Sequence, residues 1–457
     1  MNHEVRVTGV GAVTCHGAGA DGLWRAMTAA RVRPPDRVAD PGARMELPLI
    51  GLVPDPDFTG DRAVRFAVAA AGEALRDARL DAEALAGART AVVIGSCMGE
   101  PGPNERGRGR GAGSGERGRG GGAGSGAWVP PFRLATELAA ALGIFGTVHD
   151  IGNACAAGAY AIGAAADLIR AGEADIVLAG GSDAYSRVAL GCFNRLGAVD
   201  PERCRPFEAD RAGTVFAEGA GILVLESAAH AAARGAGEGP RLGGSGWSCD
   251  AGHPTAPEEN GEQIARAVRE AMGTRGLGPG SGTGSGFASG PGPERIGAVV
   301  PHGTGTRLND VLESAVLGRV LGEDVREVPL YSLKALIGHT GGASAALGAV
   351  AAVLMLRKGR VPGNVPLKER DAECRVRVAE GEAVELGRGV LVNACGFGGN
   401  NAVLLFEGAA GAPGPHPGPR GSRAGGAGSG ARVPRSGGAG SAIHASRAGG
   451  AGSGGPG

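Results

Sequence analysis

The sequence predicts a layered α/β protein built from two similar halves. Short β-branched apolar runs alternate along the chain with helical ones, the order that buries strands between helices. A strand, a glycine-flanked loop and a small-residue helix follow one another in the first half and again in the second, which points to an internal duplication. The chain of 457 residues, 42% hydrophobic and 20% charged, supplies core enough for two domain-sized units.

Val5–Val13, apolar and β-branched, reads as the first strand. Thr90–Gly95, Asp175–Gly180, Ile296–Val300 and Val390–Asn393 have the short continuous apolar character of strands covered on both faces. After Cys155, residues Ala157, Tyr160, Ala161, Ala164 and Leu168 recur at helical spacing and predict the buried face of a helix. A second small-residue helix is expected from about Gly342 to Leu356. Much of the glycine, 89 residues in all, gathers in 103–126, 276–293 and the tail from Gly408, and the hexamer GGAGSG recurs at 121–126, 425–430 and 449–454. Such segments bury too little apolar surface to offset their ordering entropy, so they are expected as two flexible inserts and a disordered tail. The chain then divides into 1–240, 241–407 and 408–457.

The 46 basic and 46 acidic side chains balance, which excludes a simple polyanion binder. The arginines in 106–119 have no aromatic residues among them and read as a solvated loop, so no nucleic acid is expected as a partner. No apolar run approaches the roughly 18 residues of a membrane span, and the opening residues lack a secretory pattern. A reducing cytoplasm is the expected compartment, with no membrane contact. The eight cysteines (15, 97, 155, 192, 204, 249, 374 and 395) form no C-x-x-C pair, so neither a zinc knuckle nor a redox dithiol is expected.

Three glycine-flanked loops carry reactive side chains: NACAAG at 153–158, PHGTGT at 301–306 and LKALIGHTGG at 333–342. Cys155 stands just before a helix, where the dipole and free N–H groups favour a thiolate. Small neighbours leave room for a thioester to approach the sulfur. His302 and His339 lie at tight turns from which an imidazole can project into a cavity, and Lys334 is near enough in sequence to His339 to reach the same cavity. A thiol with two imidazoles and an ammonium suits acyl-thioester chemistry, the sulfur taking an acyl group while the imidazoles stabilise an enolate on a second thioester.

The string NACAAGAYAIGAAADLIRAGEADIVLAGGSD (153–183) resembles the nucleophile region of β-ketoacyl-[acyl-carrier-protein] synthases, the elongating ketosynthases of the thiolase superfamily. PHGTGTRLNDVLE, SLKALIGHTGGASAALGA and NACGFGGNNAVLLFE resemble three further signatures of that family, in the family's order. VTGVGAVTCHG (7–17) and CRPFEADRAGTVFAEGAGILVLES (204–227) match other segments, so the resemblance runs from Val5 to Glu407 except for the inserts. It implies a five-layer αβαβα thiolase-like fold of two duplicated halves, usually dimeric. By the same resemblance Cys155 is the acyl-accepting nucleophile, and His302 and His339 promote malonyl decarboxylation. Lys334 holds the group electrostatically, and Phe397 is a gate whose N–H joins that of Cys155 as an oxyanion hole. Asp310 and Glu313 match acidic positions of the family, and two readings stand: functional groups, or partners of a helix dipole. No metal or organic cofactor is implied. The implied partner is an acyl carrier protein bearing phosphopantetheine-linked acyl and malonyl groups. Arg62, Arg65 and Arg205 match docking regions for it, although the first two also fit ordinary solvated surface and Arg205 also fits a pairing with Glu208.

Three departures bear on substrate choice. Cys395 replaces a bulky aromatic residue, Gly348 stands where a glutamate is usual, and Ala217 replaces a glycine. They favour a specialised type II polyketide enzyme over a housekeeping fatty-acid one. Cys395 leaves a thiolase-type acyl-CoA acyltransferase as one alternative, with a small pocket-lining residue as its plainer reading. The other alternative is a non-catalytic, chain-length-factor-like subunit, against which Cys155 itself argues. Either a homodimer or a heterodimer with such a subunit is expected.

Overall fold

The Val5–Thr14 strand is almost wholly buried because helices cover both of its faces, and this is the pattern of the whole molecule. The computed structural model describes residues 4–54, 60–102, 105, 129–273, 295–386 and 389–409. The expected inserts, apart from Glu105, and the tail beyond residue 409 lie outside the described residues. The described residues fall in a unit spanning Met1–Pro415.

A twelve-stranded sheet runs through it. In the first half Val5–Thr14 is antiparallel to Gly219–Ser227, which is antiparallel to Ile176–Asp183, followed in parallel by Thr90–Gly95 and Val148–Ile151. In the second half Arg241–Cys249 is antiparallel to Asn400–Glu407, which is antiparallel to Gly389–Gly396, followed in parallel by Ile296–Val300 and Pro329–Leu330. The two patterns are the same, and they meet where Arg6 pairs with Arg241.

Packing repeats the duplication. A Cβ on Gly9 or Gly11 would lie 2.0 Å from a carbonyl oxygen of the helix Arg62–Ala78, and one on Gly244 or Gly246 would lie 2.0 Å from a carbonyl of the helix Glu262–Ala271. Each half thus lays an outer helix directly on the backbone of its first strand. The Arg241–Cys249 strand, RLGGSGWSC, has no apolar run to announce it for this reason.

Apolar contacts define five layers. Helices Arg62–Ala78 and Leu134–Leu142 pack on the outer face of the first half-sheet. Helices Ala157–Arg170 and Ala343–Lys358 lie between the two half-sheets. Helices Glu262–Ala271 and Arg307–Leu321 cover the second. The fold is the thiolase-like αβαβα architecture.

The stripe expected to be buried on the helix after Cys155 is a correction. Tyr160, Ala164 and Leu168 are only partly buried, whereas Ala159, Ile162, Ala165, Ala166 and Ile169 are sealed. A middle-layer helix is pressed from both sides, so small residues all round it make no single stripe decisive. Among the described residues no helix is long and apolar enough to cross a membrane.

Candidate active site

Cys155 sits on a 3-10 turn, Ala154–Ala156, between the strand Val148–Ile151 and the helix Ala157–Arg170. Ala154 holds φ at 48°, a left-handed conformation that a non-glycine residue adopts only under constraint. The constraint comes from neighbouring loops. Gly158 N donates to Gly342 O at 2.9 Å, and a side chain at Gly396 would bring its Cβ to 3.3 Å from Cys155 N.

His339 occupies the equivalent place in the second half, just before the helix Ala343–Lys358. Its N–H donates to Val215 O at 2.8 Å and its carbonyl accepts from Ala217 N at 2.9 Å. Its ring stacks on Phe216 with centroids 5.5 Å apart, and Nδ1 lies 2.8 Å from Ser344 Oγ. His302 follows the strand Ile296–Val300 and meets the His339 ring edge-on at 5.7 Å. Cys155, His302, His339, Phe193, Cys395 and Phe397 all line one cavity of about 430 Å³.

Lys334 does not line that cavity, contrary to the reach expected from sequence. Its ammonium donates to the backbone carbonyl of His302 and borders a small internal space with Ser344, Gly348 and Asn393. The five-residue helix Leu333–Ile337 is wholly buried, so the side chain meets the His302 loop from behind.

Asp310 and Glu313 do not line the cavity either. Glu313 accepts from the N–H groups of His302 and Gly303 at 2.7 and 2.8 Å, and Asp310 from those of Phe207 and Gly305 at 3.0 and 3.3 Å. The Arg211 guanidinium lies 3.1 Å from Asp310. Both acids therefore fasten loops. Their placement is structural, yet their partners are loop amides and Arg211, which goes beyond a helix-dipole pairing.

The charges are set by these contacts. A hydrogen bond from the Cys97 thiol, together with His339 and Lys334, holds the Cys155 thiol well below its ordinary value despite burial. Burial, with Lys334 and His339 nearby, keeps His302 well below the usual imidazole range and therefore neutral. Burial draws the Lys334 ammonium down, while Glu313 opposes it. The Cys395 thiol is pushed up by burial and by the carboxylates of Glu313 and Asp250. Cys395 is a protonated, cavity-lining residue.

Arg205 is buried, with hydrogen bonds to Asp200 and an ion pair to Asp210 at 3.0 Å; Glu208 is farther, at 3.8 Å. Such a committed guanidinium has little left to offer a docking partner. Arg62 is tied to Glu218 and to Val53 O, whereas Arg65 is exposed. Cys97, Phe193, Phe216 and Ser344 went unnoticed in the sequence. None sits in a spacing that marks it, and only the fold brings them to the site. Among the described residues no cluster of His, Cys, Asp or Glu is placed to hold a metal ion.

Known proteins resemble this chain in sequence and fold. The beta-ketoacyl synthase N-terminal domain matches residues 55–231 and the C-terminal domain residues 287–368. Nodulation protein E of Rhizobium leguminosarum bv. trifolii is 33% identical over 422 residues, 89% of this chain and 100% of the relative. The chain belongs to the beta-ketoacyl synthase family. As a ketosynthase it is also similar to putative polyketide beta-ketoacyl synthase 1 of Streptomyces cyaneus, 33% identical over 90% of this chain and 99% of that one. Among solved structures, the ishigamide ketosynthase/chain length factor superposes with a TM-score of 0.78 at 34% identity, covering 89% of this ketosynthase and 99% of that chain.

Proposed function

We propose that this ketosynthase joins an acyl group on Cys155 to a malonyl unit delivered by an acyl carrier protein, with Cys155 as nucleophile and His302 and His339 as the decarboxylation pair. One observation carries the reading: the Cys155 thiol and the imidazoles of His302 and His339 open into the same cavity. The thiolate attacks the acyl-carrier thioester and the carrier thiol leaves. The malonyl thioester then loses CO2, and N–H groups of the two imidazoles stabilise the enolate oxygen. The enolate carbon attacks the acyl-enzyme, the β-ketoacyl product departs on its carrier, and the Cys155 thiolate is regenerated. Lys334 acts through the His302 carbonyl, and Phe397, beside Phe193 at the cavity wall, serves as the gate.

The Cys395 thiol, pushed well above its ordinary value, is a poor base, which speaks against a thiolase-type role for it. Similar structures include a ketosynthase with its chain length factor and a type II polyketide synthase carrier protein in complex with its ketosynthase. They support a carrier protein and a second subunit as partners, in type II polyketide synthesis; the 3-oxoacyl-[acyl-carrier-protein] synthase 2 of Staphylococcus aureus, 32% identical, keeps fatty-acid synthesis beside it. The repeated sheet pattern supports 1–240 and 241–407 as the two halves.

Incubation with a series of acyl-carrier thioesters, followed by mass analysis of the Cys155 peptide, tests the proposal. An acyl adduct that persists unchanged in Cys155→Ala would place the nucleophile elsewhere. His302→Ala and His339→Ala are expected to lose CO2 release from malonyl-carrier while retaining some acylation.

A further inference from the structure

The helix Arg187–Arg195 walls the reaction cavity yet is thinly held by apolar contact. Of its 9 residues only Leu190 is fully buried, and Val188 is 61% exposed. Phe193 lines the large cavity, and Leu196, Gly197 and Ala198 continue that wall beyond the helix. Nearer its start, Ser186, Ala189 and Leu190 border a small internal space of about 20 Å³ with Met98 and Phe216. The helix therefore stands between two spaces, and a shift in its seat would widen one of them.

Polar ties at both ends supply what burial does not. Glu105 accepts from Arg187 N at 2.7 Å, from Ser186 Oγ at 2.7 Å and from Val188 N at 3.3 Å. The first N–H groups of a helix have no partner within it, so a carboxylate there fills their bonds and meets the positive end of the helix dipole. Arg187 in turn donates through Nη1 to the Glu105 carbonyl at 3.2 Å and through Nε to Asp40 at 2.7 Å, and the Tyr185 hydroxyl donates to the same Asp40 oxygen. At the other end Asn194 accepts from Leu47 N at 2.8 Å and donates to Leu47 O at 3.1 Å. Glu105 lies in the stretch 103–126 expected from sequence as a flexible insert, yet both of its carboxylate oxygens are engaged by the start of this helix.

We propose that Glu105 is a positioning residue, which seats the helix Arg187–Arg195 and so sets the size of acyl group admitted to Cys155. It acts through Phe193, whose ring stacks on Phe397 at 5.1 Å and meets Phe216 edge-on at 4.5 Å. Released at its start, the helix swings on its remaining tie at Asn194, carries Phe193 away from Phe397 and widens the cavity. The inference rests on the ketosynthase reading only in taking the admitted group to be an acyl thioester.

The test reads cavity width without requiring condensation. Cys155 in the full-length protein is alkylated with iodoacetamide and, separately, with the bulkier N-phenylmaleimide, and each rate is followed by mass analysis of the Cys155 peptide. In Glu105→Ala the ratio of the phenylmaleimide rate to the iodoacetamide rate should rise about fivefold, the shift in population that follows loss of a helix-end acceptor. Bulkier groups should gain by a similar factor in competition among acyl-carrier thioesters. Glu105→Gln keeps an acceptor for Arg187 N and a partner for the Ser186 hydroxyl, so its ratio should stay near that of the unsubstituted protein. An unchanged ratio in Glu105→Ala, even with a lowered melting temperature, would overturn the proposal, as would an equal rise in Glu105→Gln. Should Glu105→Ala fail to fold, Glu105→Asp, whose shorter carboxylate loses the reach, is held to the same rise. If the unsubstituted Cys155 takes up no acyl group, the ketosynthase reading falls, and the alkylation ratio still decides the role of Glu105.

Discussion

Glu313 Oε1 lies 2.7 Å from the backbone nitrogen of His302, so a carboxylate outside the cavity positions an imidazole inside it. Asn393 Nδ2 donates to the same oxygen at 3.1 Å, and Lys334 grips the His302 carbonyl. His302 is thus held through its main chain on both sides. Glu313→Gln turns an N–H toward a donor and is expected to cost about 1–3 kcal/mol of stability. CO2 release from malonyl-carrier should fall more than Cys155 acylation. Denaturant melts and the two half-reactions check this, and equal loss in both would contradict the positioning role.

Acid tolerance of the nucleophile follows from its hydrogen bond to Cys97 and its proximity to His339 and Lys334. With the folded value held well below 9.0, the thiolate persists as pH falls below the ordinary thiol range. Its contribution to stability is fully present above the unfolded value and is lost as pH falls through the folded one. The rate of Cys155 alkylation against pH should therefore show a depressed midpoint, and His339→Ala should move it upward. An unmoved midpoint would separate the two groups electrostatically.

Arg205 and Arg65 should respond differently. The Asp200 side chain is sealed around its ion pair with Arg205, so Arg205→Ala leaves a buried carboxylate unpaired and should cost about 3 kcal/mol or more. The KM for carrier protein should hardly change. Exposed Arg65 should show a raised carrier KM in Arg65→Glu, with a smaller loss of stability than Arg205→Ala. A raised carrier KM in Arg205→Ala without loss of stability would restore Arg205 as a docking residue.

Phe193 links the gate to the imidazole. Its ring is parallel to Phe397 at 5.1 Å and edge-on to Phe216 at 4.5 Å, and Phe216 in turn stacks on His339. Phe193→Ala should lower kcat about tenfold, roughly the 1.4 kcal/mol of one aromatic pair, and admit bulkier acyl groups. Competition among acyl-carrier thioesters, read on the Cys155 peptide, measures both. An unchanged rate and acyl preference would make the row of rings mere packing.

Local order made several elements legible. Thr90–Gly95 and Ile296–Val300 are strands at the expected bounds, since continuous β-branched runs suit strands covered on both faces. Arg241–Cys249 was hidden because close helix contact demands glycine where apolar side chains would otherwise signal a strand. Lys334 was misplaced for a related reason. Five residues of sequence put it near His339, but the buried turn of Leu333–Ile337 directs it to the His302 backbone.

The amino-acid order alone determined the family and the layered class, and it singled out Cys155, His302 and His339 as candidates, because each stands in a contiguous glycine-bounded loop whose chemistry is local. Only the tertiary structure decided that Glu313 and Asp310 fasten loops and that Arg205 is spent on internal carboxylates. Those relationships join residues far apart in the chain, brought together by two superposed half-sheets, and no sequence spacing encodes such distances.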